Sequence, residues 1–203
     1  MISIVNYGMG NIQSIQGAFQ YLGIESRIVD SPYQIRESTK LILPGVGSYA
    51  KAMANIRAKL LLEPLNTAVL ERKVPILGIC LGMQLFSDAG DEDGVSEGLG
   101  WIRGKVRKIK AGGEWKVPHI GFNTAVFPEK SSNLFHGLGT QGDFYFVHSY
   151  VFDCMSEEDI SSWTEYGERF VSSVQHNNIF GTQFHPEKSQ YTGLTVFKNF
   201  ASI

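Results

Sequence analysis

The run Pro75-Ile76-Leu77-Gly78-Ile79-Cys80-Leu81-Gly82-Met83-Gln84 joins a buried apolar strand to helix-forming sequence through Gly-x-Cys-x-Gly. A near-continuous apolar strand of this kind belongs in a parallel sheet covered on both faces. The flanking glycines leave room for a sharp strand-to-helix turn. A thiol on that turn points away from the backbone at the start of a helix. There, free N–H groups and the helix dipole favour a thiolate.

Outward from this run, the chain alternates strand and helix on its N-terminal side. Residues 2–6 predict a short strand, and Ile12, Ile15, Phe19 and Leu22 recur at helical spacing. Residues 24–29 suit a second strand, and Ser31-Pro32 reads as a cap with proline at the first helical position. Lys40-Leu41-Ile42-Leu43 is a buried strand closed by Pro44-Gly45-Val46-Gly47; residues 48–73 then predict a helix interrupted near Glu63-Pro64. On the C-terminal side, residues 88–100 are acidic and glycine-rich, a surface loop by composition. Residues 101–109, 117–127, 144–151, 170–176 and 179–184 read as strands, with His176-Asn177-Asn178 as a hairpin turn between the last two. Leu194, Phe197, Phe200 and Ala201 mark a closing amphipathic helix. The expectation is one α/β domain over 1–203, flavodoxin-like, with a central mixed, mostly parallel sheet flanked by helices and a smaller antiparallel part.

With 203 residues the chain can bury a full core, and 43% hydrophobic with 19% charged residues is ordinary for a globular protein. A net charge of −2 without a long basic run gives no support for nucleic acid or anionic membrane as partner. The basic stretch 103–110 alternates with Val106 and Ile109, the mark of a strand with one wet face. Cys80 and Cys154 lie far apart in unlike contexts, so a disulfide framework is not expected. No charged-then-apolar leader opens the sequence, and no apolar run approaches the ~18 residues of a membrane span. A cytoplasmic setting that keeps Cys80 reduced is the expectation.

Sites in open parallel sheets form where strand carboxyl ends meet helix amino ends. Cys80 ends one such strand, in the position of the serine on a Gly-x-Ser-x-Gly nucleophile elbow. The Leu81 N–H is a natural oxyanion donor, and the Pro44-Gly45-Val46-Gly47 loop offers a second at Val46 or Gly47. That loop is also a common strand-ending turn. A base is available in Gln183-Phe184-His185-Pro186-Glu187: proline pushes His185 toward extended chain, where residues two apart share a face. Glu187 can then hold one imidazole nitrogen while the other meets Cys80. Gln84, four residues after Cys80, lies on the same helix face as a substrate contact or a loop cap. No second Cys/His pair stands at ligand spacing, so neither a metal site nor a cofactor is expected.

Gly78 to Gln84 together with His185-Pro186-Glu187 resembles the class I, triad-type glutamine amidotransferases, and the likeness runs over residues 4–200. Asn6-Tyr7-Gly8-Met9-Gly10-Asn11, Pro118-His119-Ile120-Gly121-Phe122-Asn123 and Tyr145-Phe146-Val147-His148-Ser149-Tyr150 are similar to motifs of the glutaminase subunits of imidazole glycerol phosphate synthase. The resemblance implies hydrolysis of glutamine by Cys80, His185 and Glu187, an oxyanion hole at Gly47 and Leu81, and glutamine held by Gln84 and the backbone near His148, Ser149 and Tyr150. It implies a heterodimer with a (β/α)₈ barrel cyclase that takes the ammonia, with Asn11, His119, Phe122, Asn123, Tyr145 and Lys188 near the docking face. Histidine-pathway members usually carry tryptophan where this chain has Phe122. Three alternatives stay open: a paralogue feeding amidino-sugar formation, a stand-alone γ-glutamyl hydrolase, and a non-catalytic regulatory subunit.

Overall fold

The computed structural model describes residues 1–92, 94–113, 115–128 and 132–203. Its first half alternates as expected: β1 (Ile2–Val5), α1 (Ile12–Tyr21), β2 (Ser26–Val29), α2 (Pro32–Arg36), β3 (Leu41–Leu43), α3 (Tyr49–Ala58), α4 (Leu62–Asn66), β4 (Ile76–Ile79) and α5 (Leu81–Gln84). The second half is mainly strands: β5 (Ala89–Asp91), β6 (Val95–Glu97), β7 (Gly104–Lys108), β8 (His119–Val126), β9 (Gln141–His148), β10 (Tyr150–Cys154), β11 (Ile160–Tyr166), β12 (Glu168–His176) and β13 (Ile179–Thr182). Helix α6 (Gln190–Ser202) closes the chain.

The main sheet runs β2-β1-β3-β4-β13-β12-β11-β8-β9. Strands β2 to β13 in that order pair parallel, and the pairs from β13 to β9 are antiparallel. The mixed sheet is therefore divided evenly between the two pairings. Its central strands β1, β3 and β4 are buried on both faces, which sorts the core into two layers. Val5, Leu41, Leu43 and Ile76 point into one layer with α2, α3 and α4; Ile4, Ile42 and Leu77 point into the other with α1 and α6. Phe19 of α1 and Phe197 of α6 meet at 4.7 Å between ring centres. The smaller sheet, β10-β7-β5-β6, packs against the first layer through Val106 and Phe152. On β7 the expected wet face is carried by exposed Lys105 and half-buried Arg107, while Val106 on the other face is buried. Arg107 reaches across to grip Glu168 with two hydrogen bonds of 2.7 and 2.9 Å, tying the two sheets together.

Several expectations are corrected. The helix predicted over 48–73 breaks at Lys59-Leu60-Leu61, where Leu60 takes φ +58, and not at Glu63-Pro64. Pro64 sits in the first turn of α4, where an N–H has no intrahelical acceptor to lose. Residues 88–100 are not simply a loop: β5 and β6 form a hairpin there, held by pairing to β7 rather than by an apolar pattern. The strand predicted over 144–151 is two, since β9 ends at His148 and β10 starts at Tyr150 in the other sheet. Strand β11 was not expected, because Ser161, Ser162 and Thr164 hide its buried character. Ser162 bonds to Ser172 and Ser173 at 2.8 Å, which satisfies those hydroxyls inside the sheet. Both cysteines are free.

Glycine positions supply a test of this packing. Gly17 lies in the exposed interior of α1 with open space around a built Cβ, so Gly17→Ala should stabilise the protein by about 0.5–1 kcal/mol. At Gly82 a Cβ would lie 1.8 Å from the Leu43 carbonyl oxygen, so Gly82→Ala should destabilise by about 3 kcal/mol or more. Urea unfolding midpoints check both. A destabilised Gly17→Ala or a tolerated Gly82→Ala would contradict the described helix and elbow.

Candidate active site

Cys80 ends β4 with φ +55 and ψ −111, a conformation that costs a non-glycine residue on the order of 1–3 kcal/mol. Its surroundings hold it there. The Cys80 N–H donates to the Thr182 carbonyl at 2.7 Å, and the Cys80 carbonyl accepts from Met83 and Gln84 N–H at 3.0 and 3.1 Å. The helix expected after the turn is a single turn, α5, so few peptide dipoles add up behind the thiol. Side-chain partners matter more.

His185 follows β13, its N–H bonded to the Tyr145 carbonyl at 2.9 Å. His185 itself is extended, but Pro186–Lys188 forms a tight turn rather than the extended chain expected. The turn still brings Glu187 Oε1 to 2.8 Å from His185 Nδ1, with both side chains 1% exposed. His185 Nε2 is buried without a hydrogen-bond partner among the described residues. Burial opposes a charge on this imidazole. The charge of an ionised Cys80 and the Glu187 carboxylate outweigh burial and raise it to about 10. In this resting arrangement the Cys80 sulfur donates to the Val147 carbonyl at 3.8 Å.

A cleft of about 520 Å³ opens over Cys80. Val46, Gly47, Leu81, Gln84, His148, Ser149, Tyr150 and Lys188 all line it, so the expected oxyanion and substrate residues share one space. Leu81 N–H stands at the first helical position, without an intrahelical acceptor. Gln84 Nε2 donates to the Tyr150 carbonyl and to Gln183 Oε1, both at 2.9 Å. Three residues that sequence reasoning left without a role belong here. Glu92 lines the cleft while its Oε2 accepts from Tyr49 N–H at 2.7 Å. Nothing in an acidic loop marks one carboxylate among several. The buried Tyr7 hydroxyl donates to the Pro44 carbonyl at 2.7 Å and fixes the glycine-rich loop. Burial, then the charge of Cys80, raises this phenol far above its ordinary range. Gln183 donates to Cys80 Sγ at 3.5 Å; its place two residues before His185 was the available signal.

Of the residues expected at a docking face, Phe122 is 53% exposed and meets the half-buried Tyr145 edge-on at 5.7 Å. Exposed Lys188 holds its Nζ 5.5 Å from the centre of the Tyr145 ring. Asn11 is half-buried at the start of α1. The His119 ring is buried and stacked on Tyr166 at 3.8 Å, on the face of β8 opposite the exposed Ile120 and Phe122. The half-buried Asn123 donates from Nδ2 to the Glu165 carbonyl at 2.9 Å. Behind it, His119 Nδ1 lies 2.9 Å from His148 Nε2, and His148 Nδ1 lies 2.9 Å from the Tyr150 carbonyl. A carbonyl only accepts, so His148 is protonated at Nδ1 and accepts from His119 at Nε2. Burial lowers His119 to about 4. Burial, reinforced by His119, lowers His148 to about 3.

This chain matches the family described as glutamine amidotransferase class-I over residues 3–202. It belongs to the class I glutamine amidotransferases. It is 45% identical over 203 residues to imidazole glycerol phosphate synthase subunit HisH 1 of Campylobacter jejuni (strain 81-176), covering 100% of both chains. It is 46% identical over 202 residues to the HisH subunit of Moorella thermoacetica, covering 100% of this chain and 94% of that one. The amidotransferase fold is also that of a putative GMP synthase subunit from Thermoplasma acidophilum, with TM-score 0.73 at 22% identity, over 99% of this chain and 92% of that one.

The two neutral histidines make this amidotransferase acid-sensitive. Unfolded, each takes a proton near pH 6.5; folded, they resist it down to about 4 and about 3. The unfolded state therefore binds more protons below pH 6.5, and stability present above that value is lost as pH falls. Urea midpoints should drop from pH 6.5 toward pH 4, and His119→Asn should flatten the slope. An unchanged slope in that variant would show that the pair does not stay neutral.

Proposed function

We propose that this chain is the glutaminase subunit of an imidazole glycerol phosphate synthase, hydrolysing L-glutamine to L-glutamate and ammonia for a (β/α)₈ barrel cyclase partner. The observation that carries the chemistry is the buried His185–Glu187 pair, with Nε2 bare, beside a thiol on a strained turn that lines the cleft. The pathway rests on full-length likeness to chains named as HisH subunits. The span 1–203 acts as one amidotransferase domain in the cytoplasm; among the described residues no helix is long and apolar enough to cross a membrane.

Cys80 Sγ attacks the side-chain amide carbon of glutamine, and the carbonyl oxygen takes the charge. Leu81 N–H and an N–H of Val46 or Gly47 stabilise that oxyanion. His185 Nε2 gives its proton to the amide nitrogen, the C–N bond breaks, and ammonia leaves. Water then attacks the thioester while His185 takes its proton, and the C–S bond breaks to release glutamate. Glu187 keeps the imidazole aimed and its charge balanced. In the same cleft the Glu92 carboxylate complements the substrate's α-ammonium group. Gln84 has both Nε2 hydrogens committed, which leaves its carbonyl oxygen for the same group.

Ammonia released into neutral water mostly takes a proton and stops being a nucleophile, so a partner must cover the cleft. Ile120 and Phe122, on one face of β8 and both more than half exposed, offer the apolar part of a docking surface, with Lys188 at its rim.

Cys80→Ala should abolish glutamine-dependent synthesis by the complex while leaving ammonia-dependent synthesis intact. Equal loss of both would point to failed assembly and remove support for the nucleophile. In steady-state kinetics Glu92→Gln should raise KM for glutamine about ten- to hundredfold, the 1.5–3 kcal/mol of a charged hydrogen bond, with little change in kcat. An unchanged KM would remove Glu92 from the substrate site.

A further inference from the structure

The Gln183 side chain is wholly buried and ends a directed chain of hydrogen bonds that the triad does not use. Gln84 Nε2 donates to the Tyr150 carbonyl and to Gln183 Oε1, and Gln183 Nε2 donates to Cys80 Sγ at 3.5 Å. The direction is forced from one end. The Tyr150 carbonyl only accepts, so the Gln84 amide must present its NH₂. That NH₂ also faces Gln183, which must turn its carbonyl oxygen to meet it. The Gln183 NH₂ is left aimed at the sulfur. Turning Gln183 over would set donor against donor and a carbonyl oxygen against sulfur.

Register puts it there. Thr182 pairs with Ile79 across the parallel ladder and its carbonyl receives the Cys80 N–H, so the next residues of both strands lie side by side. A neutral thiol is a weak acceptor, and an amide N–H buried against one recovers little of its lost hydration. A thiolate is a full acceptor, and charge-assisted bonds are roughly twice as strong as neutral ones. The Val147 carbonyl, by contrast, can serve only the protonated sulfur. The titratable groups that act with Cys80 are His185 and Tyr7, the latter kept as a neutral phenol.

We propose that Gln183 is a further catalytic residue, whose NH₂ group holds the Cys80 thiolate before attack and receives it again when the thioester breaks. This rests on the glutaminase reading. In the first step the S–C bond forms and charge passes from sulfur to the carbonyl oxygen. In the last, the S–C bond breaks and the electron pair returns to sulfur, the proton of the attacking water having gone to His185. Gln183 faces the sulfur at both ends of the cycle.

The test follows iodoacetamide alkylation of Cys80 in the full chain, read by mass spectrometry of its peptide across the pH range. Gln183→Leu should slow alkylation at neutral pH about tenfold and move the pH–rate profile about one unit higher. Gln183→Glu should move it further, because a carboxylate still satisfies Gln84 but sets negative charge against sulfur. In the complex, kcat for glutamine should fall while KM stays within about twofold. Circular dichroism confirms that each variant is folded. A folded variant with the wild-type profile would reduce Gln183 to a packing role and overturn the proposal. Should neither variant fold, Gln84→Glu reads the same chain from its other end: it loses the NH₂ that turns Gln183, so a slowed profile supports the proposal and an unchanged one overturns it. Alkylation needs neither glutamine nor partner. A complex that alkylates as expected but never hydrolyses glutamine would therefore count against the glutaminase reading alone.

Discussion

The site hangs on one backbone arrangement: Cys80 held at positive φ, with its N–H on the Thr182 carbonyl at 2.7 Å and Gly82 seated against the Leu43 carbonyl. Three neighbouring parallel strands, β3, β4 and β13, meet at this point. Each contributes the loop that follows its carboxyl end: the Pro44–Gly47 turn from β3, the thiol from β4 and the imidazole from β13. A strain on the order of 1–3 kcal/mol at one residue is small beside two packed core layers, in which each fully buried large side chain contributes about 1.5–3 kcal/mol. The layers can therefore hold the thiol where the chain alone would not put it.

The antiparallel half has a different task. Strand β9 carries Val147 and His148 over the carboxyl ends of the parallel strands, and the change of sheet at Ser149 lets the chain turn back as β10. Because of that turn the Tyr150 carbonyl faces inward, where it accepts from both His148 and Gln84. One carbonyl thus fixes an imidazole tautomer on one side and the direction of two amides on the other. Irregular backbone at the junction of two sheets is what gives this wall of the cleft its polarity.

The parallel half was legible because its apolar strands are nearly continuous and its turns are marked by Pro-Gly and Gly-x-Cys-x-Gly. His185 and Glu187 were legible as a pair, although the chain between them is a tight turn rather than extended. What stayed hidden has physical reasons. Strand β11 buries serines that bond to one another across strands, so its burial leaves no apolar pattern. The hairpin β5–β6 is set by pairing to a distant strand, which local composition cannot express. Glu92 is brought to the cleft by that same hairpin, and no short-range signal separates it from its acidic neighbours. His119 was set near a docking face by the family resemblance alone, which does not say which face of a strand a ring takes; alternation along β8 turns this one inward.

Four titratable side chains crowd the same region, and their environments push them apart. His119 and His148 are buried against each other with no carboxylate acting on either among the described residues, and burial favours the neutral form of both. Tyr7 is buried on a carbonyl and keeps its proton. His185 is as deeply buried, yet it has a carboxylate at 2.8 Å and a thiol beside it, and it alone of the four favours its charged form. His148 is held neutral partly by the charge of His185 itself. Separation of this kind assigns acid–base roles: a mobile proton in the cleft has one place to reside, at the imidazole that Glu187 supports. Acylation needs that proton delivered to the leaving nitrogen, and deacylation needs the same site vacant to receive the proton of water. A second basic histidine within hydrogen-bonding reach of Tyr150 would offer the proton a resting place away from the sulfur. With no counter-charge bonded to it among the described residues, the buried His119–His148 pair offers no such resting place, and of the four groups His185 alone favours its charged form.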